Sequence, residues 1–238
     1  MSTVIPGRVT NRLIEALPRK DRSRILEHCT PVSLVFGTVL CEPEQTCSQV
    51  YFPLTGFISL VALVGAHPPL EMGLIGSEGL LGATLVLGVN TAPLRAVVQG
   101  SGTALRMTAR QLRCELRDSS AVRRILSRYL YVLMAQLSQT AACTRFHEVQ
   151  ARLARWLLMT HDRAHVDHFH LTHNFLADML GVQRGAVTLA AGTLQRRNLI
   201  RYTRGEISVL DRGGLEAASC ECYGAVVDDY ARLFPGQR

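Results

Sequence analysis

An arginine-rich segment without acidic residues is the part of this sequence best equipped to bind another molecule. No Asp or Glu occurs from Met179 to Gly205. The arginines of that segment are Arg184, Arg196, Arg197, Arg201 and Arg204. Guanidinium groups make bidentate hydrogen bonds with phosphates and guanine edges, and the chain carries a formal net charge of +7. The segment therefore predicts contact with nucleic acid, with a solvated basic helix face as the alternative.

The residues before and within this segment have the spacing of two short helices joined by a tight turn. Thr172 has the side chain of a helix N-cap, and apolar residues then repeat at helical spacing. They are Phe175, Leu176, Met179 and Leu180 in the first helix, and Val187, Ala190, Ala191 and Leu194 in the second. Gly181 stands where the first helix must end. This is the layout of a DNA-binding helix-turn-helix, although an ordinary helical hairpin shares it.

Two short β-prone runs follow the second helix. Residues 199–202 and 207–210 flank a turn at residues 203–206, and together they predict a β-hairpin wing. Residues 169–171 are suited to a third short strand. An amphipathic stretch from Glu148 to Met159 precedes them. Helix, strand, helix-turn-helix and wing make up a winged-helix domain.

This arrangement resembles the Crp/Fnr family of transcription regulators over roughly residues 148–216. The residues that carry the resemblance are Arg152, Leu153, Ala154, Leu157, Leu158, Leu171, Thr172, Leu176, Ala177, Leu180, Gly181, Val182, Arg184, Val187, Leu194, Asn198, Leu199, Ile200 and the run from Ile207 to Asp211. The resemblance implies an α+β chain. Its expected parts are a β-roll similar to a cyclic-nucleotide-binding domain at 1–117, a dimerisation helix at 118–146, a winged helix-turn-helix at 147–225 and a tail at 226–238.

The predicted DNA-binding residues fall into two groups. Gln183, Arg184 and Thr188 lie near the start or on the outer face of the second helix, where side chains reach base edges, and Leu189 is suited to a thymine methyl group. The residues better placed for phosphates are Thr172, Arg196, Arg201 and Arg204. The second helix also contains Gly185, Leu189 and Gly192, so it departs from the family's base-reading pattern. A sensor whose main output is not DNA binding therefore stays open as a second function.

The first half of the chain is β-rich. A short helical lead-in is expected from Ile5 to Cys29. Short β-prone runs with Gly and Pro between them then extend from Val32 to about Met107, which is typical of a sandwich or barrel. The resemblance makes this a β-roll.

From Ser119 to about Phe146 the pattern becomes helical, with a narrow apolar stripe of nearly heptad spacing. The stripe consists of Val122, Leu126, Tyr129, Leu133, Gln136 or Leu137, and Thr140. We interpret it as the seam of a parallel homodimer, since symmetric dimers dominate among helix-turn-helix proteins. Packing of the same stripe on the chain's own β-roll is the alternative.

Relatives that bind cyclic nucleotides hold the phosphate in the region from Ile75 to Val98. The candidate effector residues there are Gly76, Glu78, Gly82 and Arg95. Binding of this kind needs a carboxylate and an arginine, but Ala83 and Leu94 stand where the resemblance implies those groups. The sequence therefore argues against cyclic AMP and leaves another small-molecule effector open.

The cysteines and histidines offer weaker signals. Cys29, Cys41 and Cys47 are too widely spaced for the iron–sulfur cluster of other relatives, so no cofactor is expected. His161 and His165 have a metal-binding pitch, but His168, His170 and His173 continue onto loop and strand. We expect solvated histidines there and no metal. Cys220 and Cys222 are interpreted as buried thiols, with a metal or redox role left open.

Several function classes are excluded or disfavoured. No P-loop, G-x-S-x-G, H-E-x-x-H or C-x-x-C motif occurs, so we expect no enzyme. Neither a signal peptide nor a bilayer-length apolar run is visible. We expect a cytoplasmic regulator whose seven Cys are thiols and which has no membrane partner. Double-stranded DNA, a second copy of the chain, RNA polymerase and an unknown effector are the partners implied by the resemblance.

Overall fold

A computed structural model of the chain describes residues 11–164 and 166–235. The elements are α1 (Arg12–Glu15), α2 (Arg19–His28), β1 (Thr30–Leu34), β2 (Val39–Cys41), β3 (Gln49–Ala62), β4 (Leu70–Ile75), a 3₁₀ helix (Ala83–Leu87), β5 (Arg95–Thr108), α3 (Ala109–Asp118), α4 (Ser120–Phe146), α5 (Val149–Ala164), β6 (His168–His170), α6 (His173–Leu180), α7 (Arg184–Arg196), β7 (Ile200–Thr203), β8 (Glu206–Val209), α8 (Arg212–Ala218) and α9 (Cys222–Leu233). Within the described residues, no helix combines the length and apolar character needed to cross a bilayer.

The predicted mixed fold, with β-structure first and a helix-turn-helix last, is confirmed. In the N-terminal sheet, β1, β5, β3 and β4 are neighbours in that order, and β2 also pairs with β5. Strand β3 unites two predicted runs, because Pro53 and Gly56 do not interrupt it. The helical lead-in is present as α1 and α2, with Pro18 between them, while its first residues, 5–10, lie outside the described part of the chain.

The chain divides into two compact units. One contains the described residues up to 58 together with 75–131, and the other contains 59–74 together with the residues from 132 onward. The first unit is anchored by the buried Asn11. Its amide donates to the carbonyl oxygens of Pro53 and Gly79, at 3.1 and 2.8 Å, while its carbonyl oxygen caps α1.

The core of the second unit is built from the helices and strands of the predicted winged domain. Leu153, Leu157, Leu176, Val187 and Ile207 are all fully buried in one apolar cluster. Strands β6, β8 and β7 form its small antiparallel sheet, in that order. The apolar positions predicted from helical spacing therefore do form one interior, which is what helix amphipathicity requires.

The apolar stripe predicted as a dimer seam on α4 is corrected in part, because several of its residues are not available to a partner helix. Val122, Leu126, Tyr129 and Gln136 are buried within the chain itself. At Gln136 this face of α4 contacts strand β4. The Gln136 side chain accepts a hydrogen bond from Leu74 N at 2.6 Å and donates one to Leu74 O at 3.2 Å. Four residues of the stripe are thus covered by the chain itself, as the alternative had it, while Leu133, Leu137 and Thr140 stay partly exposed.

The expectation that all seven cysteines are thiols is also wrong. Cys41 and Cys47 form a disulfide, with their Cα atoms 6.3 Å apart. A reducing compartment does not determine the distance between two cysteines, and here the turn after β2 brings Cys41 and Cys47 within bonding range. Cys29, Cys114, Cys143, Cys220 and Cys222 are free thiols.

A buried carboxyl group joins the hairpin segment to the second unit's core. Glu71 of β4 accepts hydrogen bonds from Trp156 Nε1, at 2.7 Å, and from the Ser59 hydroxyl. Burial raises the pKa of Glu71 from 4.5 to about 7, although these two hydrogen bonds oppose the shift. Removing a carboxylate from water disfavours its charged form, so a proton resides here at near-neutral pH.

This proton makes stability depend on pH. The pKa of this acid is higher in the folded state than in the unfolded state, so the folded protein stays protonated to a higher pH. The free energy of unfolding therefore falls as pH rises between the two pKa values. From pH 4.5 to about 7, the loss amounts to about 3 kcal/mol. We expect Glu71→Gln to escape this loss, because the glutamine side chain does not titrate. Its amide keeps one oxygen that can accept a hydrogen bond and one NH2 group that can donate one.

The measurement is urea unfolding of the wild type and Glu71→Gln at about pH 5 and about pH 8. The variant's free energy of unfolding relative to the wild type should increase with pH. Glu27→Gln, at an exposed position of α2, is the control and should show a constant difference. A constant difference for Glu71→Gln as well would show that the folded protein carries an ionised Glu71.

Candidate nucleic-acid interface

Helices α6 and α7 are held at a sharp turn by local hydrogen bonds. Thr172 caps α6, since its hydroxyl accepts from Phe175 N at 3.2 Å. Gly181 follows the helix with a φ of +62°, a backbone conformation that costs glycine no steric penalty. Val182 N then donates to Ala177 O at 2.9 Å. The predicted cap and turn residues therefore do have these structural roles.

A buried arginine fixes the end of α6. Arg152 of α5 is buried, and its guanidinium donates to the carbonyl oxygen of Leu180, the last residue of α6. The last carbonyls of a helix lack intrahelical partners and carry partial negative charge, so a cation there is favourable. Trp156 of α5 meets Phe175 edge-on, with the ring centroids 6.3 Å apart. Both contacts set the angle at which α6 presents the turn.

Every predicted DNA-binding side chain is exposed to solvent. Thr172, Gln183, Arg184, Thr188, Leu189, Arg196, Arg201 and Arg204 form that set. Gln183 is the N-cap residue of α7 and makes no side-chain capping bond, and Arg184 is the helix's first residue. Leu189 is 76% exposed, which is unusual for leucine and gives α7 an apolar outer contact.

The wing is a hairpin with a tight two-residue turn. Strands β7 and β8 pair antiparallel from Ile200–Val209 to Thr203–Glu206. Arg204 and Gly205 form the turn, both with positive φ, at 52° and 87°. Two consecutive positive φ values match the right-handed twist of the flanking strands. The turn therefore carries the Arg204 side chain at the tip of the wing, exposed to solvent.

Residues 151–218 match the family model described as the Crp-like helix-turn-helix domain. This chain contains a Crp-like helix-turn-helix domain. The match covers helices α5 to α8 and the wing, which includes every predicted DNA-binding residue.

Solved structures extend the likeness to most of the chain. A transcriptional regulator of the Crp/Fnr family from Eubacterium rectale has a TM-score of 0.68 and 15% identity over 87% of this chain and 96% of its own. FixK2 from Bradyrhizobium japonicum has a TM-score of 0.66 and 14% identity over 81% and 98%. The c-di-GMP-responsive global regulator CLP of Xanthomonas campestris has a TM-score of 0.65 and 15% identity over 81% and 99%.

At these identities the likeness shows the fold, so the chain has the fold of the Crp/Fnr regulators. Among curated proteins, none matches this sequence.

The Crp-like domain also contains a polar cluster that the sequence did not indicate. His173 stacks on Tyr202, with the ring centroids 4.4 Å apart, and its Nδ1 lies 2.9 Å from the Thr188 hydroxyl. Burial, with nearby Arg184 as a second cause, lowers the pKa of His173. The neutral ring thus braces Thr188 of α7 against β7. Sequence spacing could not reveal this, because the three residues come from different elements.

The other histidines that the sequence singled out have separate hydrogen-bond partners. His161 lies 2.7 Å from Asp167 and 2.8 Å from Arg212, through different ring nitrogens. His170 pairs with Glu206 at 2.7 Å. His165, which would complete the helical pair, lies outside the described residues. The structure therefore brings these histidines into several separate pairs and not into one shared site.

The candidate effector residues lie in the first unit and bond to their own chain. Arg95 is engaged by Glu42, with 2.9 Å between Nε and the carboxylate. Glu78 accepts from Gly76 N at 3.2 Å, closing a turn, and Gly82 precedes the 3₁₀ helix. Ala83 is buried. The arginine that is nearest to the expected phosphate position thus already has a carboxylate partner.

Proposed function

We propose that this protein is a sequence-specific, DNA-binding transcription regulator that acts as a homodimer in the cytoplasm and catalyses no reaction. The observation that carries the proposal is the exposed basic surface of α7 and the wing on a Crp-like domain. A helix-turn-helix places its second helix in the major groove, with the first residues of that helix nearest the bases. RNA polymerase is the downstream partner implied by the family resemblance.

The exposed residues divide by what they would reach. Gln183, Arg184 and Thr188 lie on the first turns of α7, so they are assigned to base edges, and Leu189 to a thymine methyl group. Thr172, Arg196, Arg201 and the wing-tip Arg204 are assigned to phosphates, which position the domain without reading sequence.

A second candidate is an effector sensor whose main output is not DNA binding. It is favoured by the composition of α7, in which Gly185 has open space around it, so that packing does not require glycine there. Such a glycine weakens a helix by about 1 kcal/mol relative to alanine. A genomic pull-down separates the two functions, because a regulator enriches a palindromic site and a sensor of this kind enriches none.

We expect Arg184→Ala and Arg204→Ala to weaken DNA binding in different ways. Loss of the Arg184 base contact should cost about 1–3 kcal/mol and relax preference at one base position. Loss of the Arg204 phosphate contact should weaken all sequences alike and reduce the slope of log K against log salt by about 1. Selection of binding sites from a random library, followed by salt titration, measures both effects. Unchanged sequence preference in Arg184→Ala would contradict the assigned docking of α7.

The homodimer is assigned to a solvent-facing stripe on α4. The stripe consists of Ser127, Tyr131, Met134, Ser138 and Ala141, all exposed. Their spacing of four, three, four and three residues is that of a coiled-coil seam. Tyr131 and Met134 are 52% and 57% exposed, which leaves apolar surface for a partner helix. Small residues on either side allow two copies of the helix to approach closely.

We expect Met134→Glu to weaken dimerisation by at least about tenfold. In a two-fold interface the substitution brings two carboxylates face to face, and burying unpaired charge costs several kcal/mol. Sedimentation equilibrium measures the dimer's dissociation constant. The matched control is Leu87→Glu, since Leu87 is 66% exposed but belongs to the 3₁₀ helix. Dimerisation of Met134→Glu equal to that of the control would place the interface elsewhere.

Control by a small effector is proposed for the region from Gly76 to Arg95, with cyclic AMP excluded as that effector. The proposal against cyclic AMP is supported by the buried Ala83, by Leu94, and by the engagement of Arg95 with Glu42. A ligand shifts DNA affinity only through different affinities for two conformations. An anion here would have to compete with Glu42 for Arg95, which leaves it little means of favouring one conformation over the other.

We therefore expect cyclic AMP to leave DNA affinity unchanged. Fluorescence anisotropy of a labelled operator, titrated with the protein with and without saturating cyclic AMP, is the measurement. A tenfold change in affinity, which is about 1.4 kcal/mol of coupling, is the result that would refute this expectation.

A further inference from the structure

Four side chains that could ligate a metal converge in the second unit, on elements other than α7 and the wing. Cys143, His147, Cys220 and Cys222 each offer one ligand atom, and all of these atoms lie within 4.8 Å of one another. Cys143 is on the last turn of α4 and His147 directly follows that helix. Cys220 lies between α8 and α9, and Cys222 is the first residue of α9. All three cysteines are buried.

The four ligands come as two pairs that are each close in sequence, Cys143 with His147 and Cys220 with Cys222. His147 N donates to Cys143 O at 3.2 Å, so the two side chains lie one helical turn apart on one face. Cys220 and Cys222 are separated only by Glu221, where the chain enters α9. The two pairs are more than seventy residues apart along the chain, and a metal ion bound by all four would hold these distant connections together.

The distances suit a single tetrahedral ion. Cys143 Sγ lies 3.5 Å from Cys220 Sγ, and Cys222 Sγ lies 3.5 Å from His147 Nδ1. With metal–sulfur bonds of about 2.3 Å, the edges of a tetrahedral zinc site measure about 3.7 Å. Two edges of the observed set are thus close to that length, and the longest separation has to shorten by about 1 Å.

The surrounding groups orient the ligands. His147 turns Nδ1 toward Cys222, while its Nε2 lies 3.1 Å from the Glu221 carboxylate. A carboxylate on the outer nitrogen fixes the ring's tautomer and orientation in metal sites. The Gln139 amide donates to Cys222 Sγ at 3.0 Å, a contact that would also support a metal-bound sulfur. These contacts are independent of the four-ligand convergence and point to the same use.

We propose that Cys143, His147, Cys220 and Cys222 form a structural zinc site. Thiolate and imidazole ligands in a tetrahedron select zinc among the common divalent ions. Four protein ligands leave no open position for substrate or water, so the role is structural rather than catalytic. The ligand atoms are too close together to surround a cluster with bridging sulfides, which excludes iron–sulfur chemistry here. The ion connects the α4–α5 junction to the start of α9.

Cobalt is the probe that tests this proposal, because its spectrum reports both geometry and sulfur ligation. The full-length protein is reduced, stripped with chelator and titrated with Co²⁺ without oxygen. We expect one Co²⁺ per protomer, with the intense visible bands of tetrahedral cobalt and thiolate charge-transfer absorption in the near ultraviolet. Zinc should displace it stoichiometrically, and chelator should lower the thermal unfolding midpoint of the zinc form.

Variants separate this site from the other thiols. Cys222→Ser should lose the tetrahedral bands, whereas Cys114→Ser, a free thiol outside the cluster, should keep them. His147→Cys retains four ligands and should bind Co²⁺ with stronger charge-transfer absorption, a change that a merely structural histidine would not produce. Circular dichroism checks that each variant is folded.

Three results would overturn the proposal. One is an octahedral cobalt spectrum from the wild type. Another is a spectrum that Cys220→Ser and Cys222→Ser leave intact. The third is a Cys143–Cys220 disulfide that resists treatment with reductant, because neither of its two sulfur atoms could then bind the metal as a thiolate.

Discussion

The arrangement of the second unit depends on one buried carboxyl group. Glu71 is buried, so it must either be protonated or find hydrogen-bond donors inside the protein. Trp156 and Ser59 supply those donors. Since Trp156 also belongs to the apolar core of the Crp-like domain, this bond attaches the segment 59–74 to that core. Gln136, paired with both backbone groups of Leu74, repeats the attachment from α4.

These polar contacts explain why the unit boundary does not follow the sequence. Residues 59–74 are parts of β3 and β4 and the link between them, yet they group with the chain from residue 132 onward. Apolar packing alone is tolerant of sliding, whereas a buried hydrogen bond is lost when its partners move. Strands β3 and β4 also run into the first unit.

The sequence predicted the Crp-like domain well because its signals are local. Thr172, Gly181 and the apolar repeat around them each specify structure within a few residues. On α4, periodicity identified an apolar stripe but not what covers it, and Val122, Leu126 and Tyr129 are buried within the chain itself. The exposure of Tyr131 and Met134 on the same helix could not be read from the sequence, because periodicity does not say which apolar residues find a partner within the chain. His173, Tyr202 and Thr188 meet only through tertiary folding, as do Cys143 and Cys220, and no local pattern records such contacts.

Several buried polar groups of this protein lie at the ends of helices. Arg152 satisfies the last carbonyl of α6, and the cysteine–histidine cluster joins the end of α4 to the start of α9. Neither contact includes a residue of α7 or the wing. A recognition helix weakened by Gly185 and Gly192 gains little rigidity from its own propensity. Its position must therefore come from its neighbours, through the Arg152 cap on α6 and the His173 brace on Thr188.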